Sequence, residues 1–179
     1  MHRLFVGLRP PAPLRDQLLD LTDGVDGARW QDEDQLHLTL RFVGEVDGRQ
    51  AEDLAEALER VRAAPFSLGL RGVGHFERKG APSILWAGVA PSEPLARLQG
   101  RVEQACRRAG IPADSRRFVP HITLARLSRS AGSIGGWLQR HGTFAAPEPW
   151  PVEHMILYES HLTPAGSEYT AAVTYPLRA

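Results

Sequence analysis

Two short stretches of this 179-residue chain place histidine and threonine two residues apart within an aliphatic alternation: Leu36-His37-Leu38-Thr39-Leu40 and Pro120-His121-Ile122-Thr123-Leu124. Side chains two apart in a strand leave the same face, so each segment offers an imidazole and a hydroxyl on one side and aliphatics on the other. The aliphatic faces suit burial against helices; the His/Thr faces then look into solvent or a cleft. A pair of such strands can present two imidazoles and two hydroxyls to one phosphate. Imidazole, with a reference pKa of about 6.5, can give or take a proton near neutral pH. Cleaving a phosphodiester needs in-line attack by water, a group to take the water's proton and another to protonate the departing oxygen. Two imidazoles flanking the phosphorus can divide that work, each general acid or base contributing about 10²–10⁴-fold. The threonine hydroxyls can donate to the non-bridging oxygens and stabilise the charge that builds there. This scheme needs neither a metal nor a cofactor.

The triplet by itself is weak, because four of the seven histidines begin one. His141-Gly142-Thr143 follows a helix that Gly142 stops, and His161-Leu162-Thr163 runs into the turn residues Pro164, Ala165 and Gly166. A positive contact to the phosphate is also expected. By strand parity Arg41 shares the face of His37 and Thr39, whereas Arg126 has the wrong parity relative to His121 and needs a bulge or a strand end to reach a cleft. Phe5, Trp30, Phe42 and Tyr158 are the aromatics that could stack on a base.

Elements to hold these residues can be read along the chain. Strands are expected at His2 to Leu8, Ala28 to Trp30, Leu36 to Val43, Phe66 to Leu70, Ile84 to Val89, around His121, at Met155 to Glu159 and at Tyr169 to Leu177. Helical spacing starts after Pro13 and runs through Leu14, Leu18, Leu21 and Val25, with Gly24 as a stop; further helices are expected over Gln50 to Ala63, from Pro94 to Ala109 and over Ile134 to Arg140. Gly44 to Gly48 reads as a turn, residues 71 to 82 as a loop at the cleft mouth, and Pro147, Pro149 and Pro151 as a rigid connector. Paired strands with interspersed helices indicate an α+β fold with antiparallel sheets. The two motif histidines lie about half a chain apart, which fits two related lobes facing across a groove.

Composition narrows the class. Hydrophobic residues make up 42% and charged residues 23%, a globular balance for one domain of ordinary size. The formal net charge is zero, which removes any global drive toward nucleic acid and leaves only a local basic cleft. Cys106 is the only cysteine, so no intrachain disulfide forms, and it is expected in the core, as suits a reducing cytosol. No apolar run approaches the roughly 20 residues that span a bilayer, and no signal peptide is expected.

With those residues in view, the chain resembles the 2H phosphoesterase superfamily, named for two His-x-Thr-x motifs. Within it, the chain is similar to the bacterial and archaeal RNA 2',3'-cyclic phosphodiesterases, also described as 2'-5' RNA ligases. The resemblance runs in order through Arg3-Leu4-Phe5-Val6-Gly7-Leu8, Trp30, the first motif with its flank Arg41-Phe42-Val43-Gly44-Glu45-Val46, Leu85-Trp86-Ala87-Gly88-Val89, Phe118 to Arg126, and Leu157-Tyr158-Glu159-Ser160. It implies one bilobal domain over residues 1–179: two pseudo-symmetric lobes of antiparallel sheet, outer helices and a central cleft. It implies hydrolysis of RNA or nucleoside 2',3'-cyclic phosphodiester ends to 2'-phosphomonoesters, with 2'-5' ligation as the reverse reaction. His37 would protonate the leaving 3' oxygen and His121 would accept the proton of water, an assignment the near-symmetric copies do not make by themselves. Thr39, Thr123, Arg41 and Arg126 would bind substrate, Arg126 being favoured by the family pattern. The partners would be RNA ends or nucleoside cyclic phosphates, met by a monomer in the cytoplasm with no membrane. Two alternatives stay open: a 2H phosphodiesterase acting on another cyclic phosphate or on 2'-5' oligonucleotides, and a nucleotide- or RNA-binding module without catalysis.

Overall fold

The structure, a computed structural model, describes residues 1–179. The chain runs β1 (His2–Leu8), α1 (Ala12–Leu19), β2 (Arg29–Trp30), a short 3-10 helix (Glu33–Gln35), β3 (Leu38–Val46), α2 (Gly48–Glu59), β4 (Phe66–Leu68), β5 (Leu70–Arg78), β6 (Ala81–Val89), α3 (Glu93–Arg108), β7 (His121–Arg126), α4 (Gly135–His141), β8 (Trp150–Val152), β9 (His154–Thr163) and β10 (Gly166–Pro176). An eight-stranded sheet has the order β10-β9-β1-β3-β7-β6-β5, with β2 on β7, and β4 pairs with β8 in a separate ribbon. Every pairing is antiparallel. The fold is α+β, with β10-β9-β1-β3 in one lobe and β7-β6-β5 in the other. The lobes join at β3 and β7 through one ladder pair, Leu38 with Ile122, and this narrow seam lets the sheet open into a groove.

The aliphatic alternation of the motifs does what parity requires. Leu36, Leu38, Leu40, Ile122 and Leu124 are all buried in one continuous core. Burying a side chain of that size is worth about 1.5–3 kcal/mol, so a register slip that turned these faces outward would be heavily disfavoured. Helix α3 packs on β3 and presents Leu95, Leu98, Val102 and Cys106 at helical spacing to the core. Its start is fixed by Ser92, whose hydroxyl accepts from the Leu95 amide, and Arg107 and Arg108 sit at the negative end of its dipole. Asp47 caps α2 in the same way through the Gln50 amide. No helix is long and apolar enough to cross a membrane.

Several local expectations are corrected. Residues 71 to 82 form no open loop; they belong to the β5–β6 hairpin, closed by Lys79 and Gly80, both at positive φ (52° and 77°). That two-residue turn has the backbone sign pattern that matches strand twist. The glycines that suggest a loop serve the strand instead: a Cβ on Gly74 would lie 2.4 Å from the Trp86 ring, so only glycine lets that indole cross the backbone. Gly44 likewise does not begin a turn. It sits at φ 87° where the β1–β3 register skips Val43, and the strand continues through this bulge to Val46. The proline-rich connector contains strand β8, where Pro151 is tolerated in a two-stranded ribbon. His161 to Thr163 end β9 and are part of its hairpin with β10. Helix α1 ends at Leu19, although Leu21 and Val25 beyond it are buried as their spacing expects.

Candidate active site

The register that sets Leu38 against Ile122 brings His37 abreast of Thr123 and Thr39 abreast of His121. The two histidines thus flank that single pair on opposite strands, where the sheet opens. An approximate twofold passes through the Leu38–Ile122 pair and exchanges the motifs. The hydrogen bonds obey the same symmetry. His37 Nδ1 lies 2.7 Å from the carbonyl of Gln35 and His121 Nδ1 lies 2.7 Å from the carbonyl of Val119, in each case two residues back. A carbonyl only accepts, so both Nδ1 atoms carry hydrogen and both Nε2 atoms keep a lone pair when the rings are neutral. The Thr39 hydroxyl, 2.9 Å from His37 Nε2, donates to it in that state.

Environment separates the two rings. His37 packs against Phe5 (centroids 4.7 Å apart) and under the edge of Tyr169 (5.2 Å). Burial pushes its pKa down to about 4; the Gln35 carbonyl works against that shift, and the nearby His121 and Arg126 add to it. His121 meets Phe76 edge-on at 4.8 Å, and its pKa is also lowered, again by burial first, opposed by the Val119 carbonyl and assisted by Arg126. Both imidazoles, both threonines and Arg126 line one cavity of about 670 Å³, of a size that accommodates a small ligand.

Arg126 reaches this cavity through a bulge. Trp86 pairs with Thr123 and Leu85 with Ala125, so Leu124 has no opposite number, and Leu124 and Ala125 are buried in succession. The extra residue reverses parity and returns Arg126 to the face of His121 and Thr123. No carboxylate pairs with its guanidinium, which is exposed. Arg41 lines the same cavity, as parity expects, but its guanidinium is engaged elsewhere. It is 6% exposed and donates to Glu103 at 2.6 Å and to the carbonyls of Phe42 and Pro112. Glu103 also accepts from the Asp114 amide, and the Asp114 carboxylate takes both Nε and Nη2 of Arg116 at 3.1 Å. Burial raises the Glu103 pKa, but Arg41 and the Asp114 amide outweigh it and hold the carboxyl below its ordinary value. Arg41 therefore ties β3 to α3 and to the segment that leads into His121.

Of the aromatics that could stack on a base, Phe5 and Phe42 line the cavity, Tyr158 is buried behind Phe5 in a stacked pair at 4.8 Å, and Trp30 packs toward Trp137 outside it. Phe76 and Tyr169 also line it, and nothing in the sequence pattern singles them out. Phe76 lies in the glycine-rich stretch that masks β5; Tyr169 enters from the last hairpin, and only the pairing of β9 with β1 brings it over His37.

A model of the 2'-5' RNA ligase superfamily matches residues 10–163. An RNA 2',3'-cyclic phosphodiesterase of Geobacillus stearothermophilus is 34% identical over 162 residues, covering 88% of this chain; the chain spans half the length of that relative. A protein of the same name from Archaeoglobus fulgidus is 30% identical over 170 residues, covering 93% of this chain and 96% of its own. Among solved structures, a protein of Thermus thermophilus superposes with a TM-score of 0.84 at 30% identity, over 99% of this chain and 98% of its own. Escherichia coli LigT complexed with 3'-AMP superposes with a TM-score of 0.79 at 26% identity, over 99% of both chains. Matched along most of its length and carrying both motifs on facing strands of one groove, the chain belongs to the 2'-5' RNA ligase superfamily of 2H phosphoesterases.

Proposed function

We propose that the chain hydrolyses 2',3'-cyclic phosphodiester ends of RNA and nucleosides to 2'-phosphomonoesters, with His37 and His121 as the acid and base. The observation that carries this reading is the pair of twofold-related His/Thr sets in one cavity, each imidazole held by an Nδ1–H bond so that Nε2 is the reacting nitrogen. The neutral His121 Nε2 takes a proton from water as the water oxygen bonds to phosphorus. The bond from phosphorus to the 3' oxygen breaks, and His37 Nε2 delivers a proton to that oxygen. Thr39 and Thr123 hold the non-bridging oxygens, and Arg126 draws in and neutralises the phosphate. With no anion bound, His37 is neutral at pH 7. The cyclic phosphate carries the negative charge that raises its pKa again, so substrate itself loads the acid. A ribose 5'-hydroxyl in place of water gives 2'-5' ligation along the same path. Arg41 serves by positioning the His121 segment.

All of these residues come from one chain, which supports action as a monomer, and the single buried free thiol suits the cytosol. The test is incubation with adenosine 2',3'-cyclic phosphate in the presence of EDTA and identification of the phosphomonoester formed. Adenosine 2'-phosphate is expected. A 3'-phosphate would contradict the assignment of donor and acceptor, and absence of turnover on any 2',3'-cyclic phosphate would contradict the activity.

A further inference from the structure

Beside the main cavity lies a second one of about 340 Å³, under the tip of the β9–β10 hairpin. The two share Gln31, Arg126, Ser167 and Tyr169 as common walls, so they adjoin along one trench. Arg29 lines the second cavity only. It stands directly opposite Arg126 in the β2–β7 ladder. Like charges in that relation repel, and no carboxylate pairs with either guanidinium. An anion between them would remove the repulsion. Arg29 is not among the charges that perturb His37 or His121, so it stands apart from the reacting centre. The rim supplies an apolar surface as well. Leu162, 73% exposed at the hairpin, is one of four large hydrophobics left open on the molecule; two of the others, Phe42 and Val119, line the main cavity. Leu162 thus adds an apolar contact at the rim of the second cavity.

We propose that this second cavity receives the RNA chain on the 5' side of the cyclic end, with Arg29 holding the phosphodiester that links the last two nucleotides and the hairpin rim around Leu162 covering the penultimate nucleoside. The inference rests on the cyclic phosphodiesterase reading and names the preferred substrate as an oligonucleotide end. Arginine suits a phosphodiester because its planar fork can engage two oxygens at once.

The experiment compares kcat/KM for adenosine 2',3'-cyclic phosphate, for the dinucleotide ApA 2',3'-cyclic phosphate, and for the same dinucleotide with a neutral methylphosphonate linkage. The wild-type chain is expected to favour the charged dinucleotide over the mononucleotide by about tenfold or more, the worth of one charge-assisted contact. The neutral linkage should lose most of that advantage, a readout that needs no variant. Arg29→Gln should bring the dinucleotide-to-mononucleotide ratio close to one, with Arg29→Lys between it and the wild type. A wild-type ratio near one, a neutral linkage that keeps the full advantage, or an unchanged ratio in Arg29→Gln would each overturn the proposal. Turnover of none of the three substrates would instead refute the underlying activity.

Discussion

His37 and His121 make matching backbone bonds but have unlike surroundings, and that difference is measurable ring by ring. Because His37 is held near a pKa of about 4, its imidazole signals should titrate well below those of an unperturbed histidine in an NMR pH series. Adding adenosine 2'-phosphate should move that titration upward; an unchanged midpoint would argue against an anion beside the ring. The same shift has a consequence for stability. The folded pKa lies below the unfolded value of about 6.5, so between them the unfolded chain binds the proton and the folded chain does not. The stability from neutral His37 is complete above about pH 6.5 and is lost as pH falls toward 4. His37→Asn should therefore show a smaller drop in urea midpoint between pH 7 and pH 4.5 than the wild type. At this scale the histidines and threonines were legible because alternation fixes their face. Arg126 was legible only through the family pattern, because parity alone points it away and the one unpaired residue that reverses parity, Leu124, leaves no mark in the sequence. For Arg41 the face was legible but not the buried carboxylate that occupies it, since Glu103 comes from a helix some sixty residues away.

Elements explain how the motif strands are held. Arg41 bridges β3, α3 and the segment before β7; its own side chain is buried, while Glu103 keeps partial contact with water. Removing Arg41 takes away the main partner of Glu103 but leaves it the Asp114 amide and Arg107, so the loss is that of a charge-assisted hydrogen bond, about 1.5–3 kcal/mol. Arg41→Met should lower stability by an amount in that range in urea denaturation, whereas a change within about 0.5 kcal/mol would show that the pair holds nothing in place. The β5–β6 hairpin gives a second case. Gly74→Val puts a branched side chain into the Trp86 ring, and overpacking of this kind costs about 1–3 kcal/mol. This hairpin was the part of the fold least visible from sequence. Gly72, Gly74 and Gly80 read as loop residues because composition reports conformational freedom, not the indole that crosses one of them. The amphipathic helices α2 and α3 were visible, since their leucines at three- and four-residue spacing can only face one way; their ends shifted by a residue or more, where capping by Asp47 and Ser92 decides.

Across the whole molecule, two half-sheets meet at one ladder pair, and both His/Thr pairs line the opening between them. The half-chain spacing of the motifs foretold this arrangement, although the strand order that joins β1 and β9 to the first motif could not be read from spacing alone. With no net charge, the chain has no global attraction for RNA, so under the proposed function the arginines lining the trench would supply it. For one or two phosphate contacts on a single strand, log kcat/KM should fall with log salt at a slope of about −0.7 to −1.4. A much steeper slope would mean that RNA lies across a wider surface than this trench. The pairing of imidazoles across the seam is tested most directly by single substitutions. His37→Ala and His121→Ala should each lower kcat on adenosine 2',3'-cyclic phosphate by about 10²–10⁴-fold while circular dichroism and the urea midpoint at pH 7 show a folded chain. Near-wild-type turnover in either folded variant would contradict a mechanism in which both rings move protons at one phosphorus.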